Sequence, residues 1–349
     1  VIGQIIMVIY NMADTFFISL TGSDAMISAV TVCMPAFMFL SAVSNLFGVG
    51  GSSVISRAMG RDDSARARNA ASFSFWGCML TTLVYSALAL LFLDPFIDLL
   101  GGADAAVHAG AREYMLYTVV LGGLATAMNG LLGHLVRSQG YAVHASLGVA
   151  LGGVLNIALD PLFMFVLLAP GHETLGAALA TGLSNLAAAA YLGVVCWRRR
   201  RALTLSFAPT RQALEGDIPR RVFATGLPAC LMTLCENISY AVLDNLMSFY
   251  GIAMQAGIGV AKKVNMLAHC IVRGMSQGVL PLIAYNYAAK NYKRMRASIF
   301  LSAALSVAMA ALCMLASLVF SNQLVGVFIK SGSASFDASV RFLRILCLG

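Results

Sequence analysis

Long apolar runs separated by short polar connections make up almost the whole chain. The runs recur at lengths near 20 residues, which as helix spans the roughly 30 Å hydrocarbon core of a bilayer. The pattern predicts helical segments over 1–19, 25–56, 70–93, 113–136, 145–168, 174–197, 222–249, 252–288 and 298–320, with a tenth beginning near 338. Segment 8 is rich in glycine and contains Pro281, so a broken helix is expected there. The short period-two alternation of an outer-membrane barrel is absent. Val1 already lies in an apolar run and Gly349 ends another, with no signal peptide in view. The chain is therefore expected to be a piece of a longer protein, lacking the head of segment 1 and the helices after Gly349.

Composition agrees with the pattern. The 349 residues are 59% hydrophobic and 11% charged, against about 25% charged in a soluble domain. The predicted class is an all-α polytopic membrane protein. Net charge is +8, but the basic residues are placed by topology, not as a nucleic-acid surface. Connections after segments 2, 4, 6 and 8 hold 16 of the 23 Lys and Arg, among them Arg57, Arg61, Arg66, Arg137, Arg198 to Arg201 and Lys290. The opposite connections carry Asp24, Asp94, Asp98, Asp104, Glu113, Glu173 and Asp337. The positive-inside rule then puts the basic loops in the cytoplasm of a bacterial cell and the protein in its inner membrane. Eight scattered cysteines without a C-x-x-C pair read as reduced apolar residues.

The longest polar connection divides the chain into an amino-terminal part (1–197), a linker (198–221) and a carboxy-terminal part (222–349). The parts echo one another. Asp14 pairs with Asp244 at an offset of 230, and Gly60-Arg61 pairs with Ala289-Lys290 at an offset of 229. Six segments separate the copies, so the halves read as parallel repeats, a design that places substrate between them near mid-membrane.

Segment 5 carries the most chemistry. Asn156 and Asp160 lie one turn apart on one helix face, and Pro161 follows and frees the carbonyl of Ile157. A carboxylate at mid-membrane costs about 2.5–3.5 kcal/mol and so reads as functional before structural. A carboxylate, an amide oxygen and a loosened carbonyl suit a proton or a small hard cation.

Several stretches resemble the multidrug and toxic compound extrusion (MATE) family: Tyr10 to Ile18, Gly48 to Ser53, Asn156 to Pro161, Gly176 to Thr181, Gly226-Leu227-Pro228 and Pro281 to Tyr292. The Tyr285-Asn286-Tyr287 end of segment 8 resembles its MepA-like branch. The resemblance implies twelve helices in two six-helix lobes, about ten present here, that extrude cationic or amphipathic drugs by antiport against H⁺ or Na⁺. It also implies an ion-coupling set of Asp14, Asn156, Asp160 and Thr181, with Asn129 supporting. A bound Na⁺ would rest on Asp14, Asn156 and Asp160. No cofactor is implied, and a monomer in lipid is expected.

In the second half, Glu236, Asp244, Lys263 and Gln277 are candidates for the substrate cavity, since charge within a span faces a cavity or a partner. Lys262, Lys263 and Arg273 are expected to pair with Glu236 or Asp244, or to reach toward the interface. Gly274-Met275-Ser276-Gln277-Gly278 matches the G-x-S-x-G nucleophile elbow, but that elbow needs a strand-to-helix turn and this stretch is helical. The rival readings are a lipid-linked precursor flippase, a nonfunctional truncated paralogue and a membrane hydrolase. A flippase needs basic residues deep in segments 1–6, which have none; a hydrolase needs a nucleophile with its base, or metal ligands, and the chain offers neither.

Overall fold

Every regular element of the computed structural model is helical, over the described residues 2–20, 23–101, 104–169, 171–250, 252–326 and 334–347. In order these are α1 (Ile2–Leu20), α2 (Asp24–Met59), α3 (Ser64–Leu91), α4 (Leu93–Leu99), α5 (Ala105–Met115), α6 (Gly123–Ser138), α7 (Ala142–Leu162), α8 (Glu173–Arg198), α9 (Ile218–Ser248), α10 (Ile252–Ala288), α11 (Tyr292–Val319), α12 (Ser321–Gly326) and α13 (Ala334–Leu346). Among the described residues seven helices are long and apolar enough to cross a membrane, and an eighth span is the bent pair α5–α6. The fold is that of a polytopic membrane protein. Its outer faces are apolar, as lipid requires: Phe300 and Val307 on α11 are bare.

Three features depart from the pattern-based expectation. Segment 4 is not one straight helix: a π-helical stretch, Leu116–Leu121, joins α5 to α6 at a bend of 47°. There the N–H of Gly122 donates to the carbonyl of Tyr117 at 3.0 Å, one residue beyond the α spacing, and the added residue opens the bend. A second π turn, Phe163–Leu167, follows Pro161. Segment 8, expected to break, is the continuous helix α10, with Pro281 inside it.

The helix ends that carry the basic connections gather at one pole. α2, α6 and α10 all finish there in the same closure. A residue at positive φ (Asp62 at 57°, Gly140 at 85°, Lys290 at 57°) is followed by one whose N–H reaches back five residues, Asp63 to Ala58, Tyr141 to Val136 and Asn291 to Asn286. This is the Schellman arrangement, which satisfies carbonyls the helix leaves bare. After two of these turns the next residue caps the following helix: Asp63 accepts from the N–H of Arg66 and Asn291 from that of Arg294. The repeat is thus visible in backbone geometry. Its true register is an offset of 228 (Asp63 with Asn291), one less than the residue-type match suggested, because the turn aligns by φ and not by side chain.

The connection after α8 is pinned across this pole. Ser72 Oγ donates to the carbonyl of Ala208 at 2.6 Å, Trp76 Nε1 to that of Phe207 at 2.9 Å, and Thr204 donates twice to Gln139 Oε1. α9 then enters against α2, where Phe47, Phe73 and Phe223 form a ring cluster with centroids 5.8 to 6.3 Å apart. The approach is close enough that a methyl group on Gly226 would run into the carbonyl of Leu46, and one on Gly60 into the carbonyl of Tyr285 on α10. At the basic pole, therefore, α2 is clamped between α9 and α10.

Candidate functional site

Four of the five residues expected to couple an ion are buried. Asp14 on α1 is 7% exposed, Asn156 and Asp160 on α7 are 1% and 0%, and Thr181 on α8 is 6%. The α-helical i,i+4 spacing sets Asn156 against Asp160, its Nδ2 donating to Asp160 Oδ1 at 3.2 Å. The same amide reaches Thr181 Oγ1 at 3.4 Å. α1 packs along α7 and brings Asp14 within range of the Asp160 charge.

These bonds leave oxygen atoms over. Asp14 Oδ1, Asn156 Oδ1 and Asp160 Oδ2 are buried with no hydrogen-bond partner. A buried acceptor left bare costs about 1–3 kcal/mol, more for a charged one. Three on adjacent helices, two of them from carboxylates, are better matched to a proton or an oxygen-seeking cation than to a purely structural network.

Asn129 sits at one remove. Its Nδ2 donates to Asn185 Oδ1 at 2.9 Å, and Asn185 Nδ2 donates to the carbonyl of Thr181 at 3.0 Å. It thus bears on the cluster through Asn185, a residue the sequence did not single out although it stands four places after Thr181. Tyr114 is the other omission. It is 2% exposed, at the end of α5 just before the π stretch, and within charge range of Asp14, Tyr10 and Asp160. Thr118 Oγ1 donates to its carbonyl at 2.6 Å. No local pattern marks an aromatic residue in an apolar run.

Among the described residues, the second-half candidates Glu236 and Gln277 take different partners. Glu236 on α9 receives Arg273 Nη2 of α10 at 2.7 Å. Gln277, four residues along α10, accepts from Arg137 of α6 at 3.4 Å. Lys263 makes none of these bonds among the described residues. The side chain of Asp244 lies outside the described residues. A further polar chain crosses from α6 through α2 to α9: His134 Nε2 meets Asn45 Oδ1 at 3.3 Å, and Asn45 Nδ2 donates to Thr233 Oγ1 at 2.9 Å.

Comparison with known proteins follows the same lines. The multidrug export protein MepA of Staphylococcus saprophyticus is 29% identical over 354 aligned residues, covering 100% of this chain and 76% of the relative. A MATE crystal structure in complex with MaD3S superposes with a TM-score of 0.87 at 26% identity, covering 99% of this chain and 76% of that one. An outward-facing multidrug resistance MATE transporter of the MOP superfamily gives 0.85 at 25% identity, with the same coverage. The MatE family profile matches residues 1–162 and 228–349, which include Asp14, Asn156 and Asp160 as well as Glu236 and Arg273: the chain belongs to the MatE family.

Proposed function

We propose that this protein is a secondary active exporter that drives amphipathic or cationic drugs outward by antiport against H⁺ or Na⁺. Membership of the MatE family and likeness to a multidrug export protein support the export of drugs. The observation that carries the antiport reading is the set of bare oxygens on Asp14, Asn156 and Asp160. A proton or Na⁺ arriving there offsets one of the two neighbouring buried carboxylate charges, relieves their mutual repulsion and is stabilised in turn, which repacks α1 against α7. As the transported ion, Na⁺ would rest on Asp14, Asn156 and Asp160, with Thr181 beside them.

The wider arrangement belongs to the same proposal. Residues 1–197 and 222–349 form two lobes joined by 198–221, and they rock about a central cleft. The basic pole faces the cytoplasm of a bacterial cell, and the clamped contacts of α2 with α9 and α10 close that side. The cleft then opens outward. The working unit is a single chain in the inner membrane.

Ethidium efflux from proteoliposomes, with pH and Na⁺ gradients imposed separately, tests this. Efflux should follow one gradient and fall at least about tenfold in Asp160→Asn and in Asp14→Asn, each with protein retained in the membrane. Efflux indifferent to both gradients, or full activity in both variants, would refute the coupling.

A further inference from the structure

Glu236 and Arg273 sit at a distinctive level. α9 runs away from the basic pole, and Glu236 lies three residues beyond Thr233, the residue that bonds Asn45 of α2. α10 runs toward that pole, and Arg273 lies four residues before Gln277, which bonds Arg137 of α6. Each is therefore about 4.5–6 Å farther out than a contact its own helix makes with the first-half helices. The two spacings also keep each on the face that makes that contact. The ion pair thus stands about one turn farther from the basic pole than the Thr233–Asn45 and Gln277–Arg137 contacts between the two halves of the chain. Its side chains are 34% and 37% exposed, so neither is sealed in a core.

We propose that this pair is the charge filter of the drug cleft, with Arg273 acting as a tethered cation that occupies Glu236 until a drug cation displaces it; the proposal rests on the export reading above. The chemistry favours exchange over simple addition. A lone carboxylate in so apolar a setting would hold any cation tightly and release it slowly. With the guanidinium docked, a drug cation replaces one ion pair by another, and the return of Arg273 helps expel it. The other cations of this wall stand on α10: Lys262 lies over the Tyr240 ring, 5.3 Å from its centroid and one turn beyond Glu236, and Lys263 follows it. With Arg273 they keep the empty cleft from collecting small cations. Charge is thus read by Glu236 and Arg273, and hydrophobic bulk by the apolar lining.

Equilibrium binding in lipid nanodiscs tests this, with ethidium as the cation and Nile red as a neutral amphiphile of similar size. Arg273→Gln should tighten ethidium about three- to tenfold, and Glu236→Gln should weaken it by a similar factor. The double variant should return toward the wild type, and Arg273→Lys should lie between wild type and Arg273→Gln. Nile red should bind all of them alike, which also reports on folding. Unchanged or weaker ethidium binding in Arg273→Gln, with Nile red still bound, would overturn the filter and leave the export reading standing. If the wild type bound neither dye, both would fall. A purely structural ion pair would predict equal losses for both dyes in each single variant.

Discussion

Asp160 is the most enclosed charged side chain of the acid cluster, and one of its oxygens has a partner while the other has none. The Asn156 amide group, shared between Asp160 Oδ1 and Thr181 Oγ1, fixes the occupied oxygen, and on the proposed reading the bare one faces the ion. Thr181→Val keeps the shape and removes the hydroxyl that receives Asn156. A lost neutral hydrogen bond is worth about 1 kcal/mol, so the half-saturating ion concentration for efflux should rise about fivefold. Asn129→Ala acts only through Asn185 and should cost less; an effect as large as that of Thr181→Val would place Asn129 in the ion shell itself. This much was legible in the sequence: a carboxylate and an amide one turn apart in an apolar run cannot be there for solvation. The nearness of Tyr114 and the link through Asn185 were not legible, since nothing local distinguishes them and both depend on helices that meet only in three dimensions.

At the scale of the element, the basic-pole turns carry a measurable cost. Asp62 and Lys290 hold a left-handed backbone that costs a non-glycine residue about 1–2 kcal/mol. Lys290→Gly should therefore raise the unfolding free energy by about 0.5–1 kcal/mol, after the extra chain entropy of glycine, seen as a higher melting temperature in detergent. The close crossing of α2 and α9 predicts the opposite sign. Gly226→Ala sets a methyl group against the carbonyl of Leu46 and should pry the two helices apart. Faster amide exchange over 218–233, together with loss of efflux, is the expected result; unchanged exchange would mean that the crossing has slack. The bend between α5 and α6 belongs to this scale as well. Hydropathy found the span but not the π stretch, because one added residue leaves the apolar pattern intact.

Over the whole molecule, a polar latch at the basic pole joins α3 to the entry of α9, on the side that the proposed export cycle closes. Asp217, at the entry to α9, takes Arg66 of α3 on one oxygen and Arg221 on the other. The hydrogen bond from Arg221 chiefly, then Arg66, holds its carboxyl below the usual carboxylate range. The sign follows: a depressed carboxyl contributes closure at all pH values above the ordinary range near 4 and loses it only as pH falls through the lowered value. Acidification to about pH 5 should therefore leave the latch intact, whereas salt should weaken it. These side chains are partly exposed, so each pair is worth less than about 1 kcal/mol. Asp217→Asn should raise the exchange of amides over 218–233 by at most a few fold at low salt, and by less at high salt. A pH-sensitive closure between 5 and 7 would assign the latch to other groups.

What the sequence determined by itself is what the solvent imposes residue by residue. Apolar runs of bilayer length became helices, basic connections collected at one pole, and a polar pair inside such a run became a buried cluster. These outcomes follow from local transfer free energies, which the order of residues encodes directly. Tertiary structure alone decided which second helix meets that cluster, that Arg273 and not Lys263 reaches Glu236, that α10 stays whole through Pro281, and that the repeat closes at an offset of 228. Each of these depends on distances between helices far apart in the chain, and such distances are set by packing, which no single segment contains.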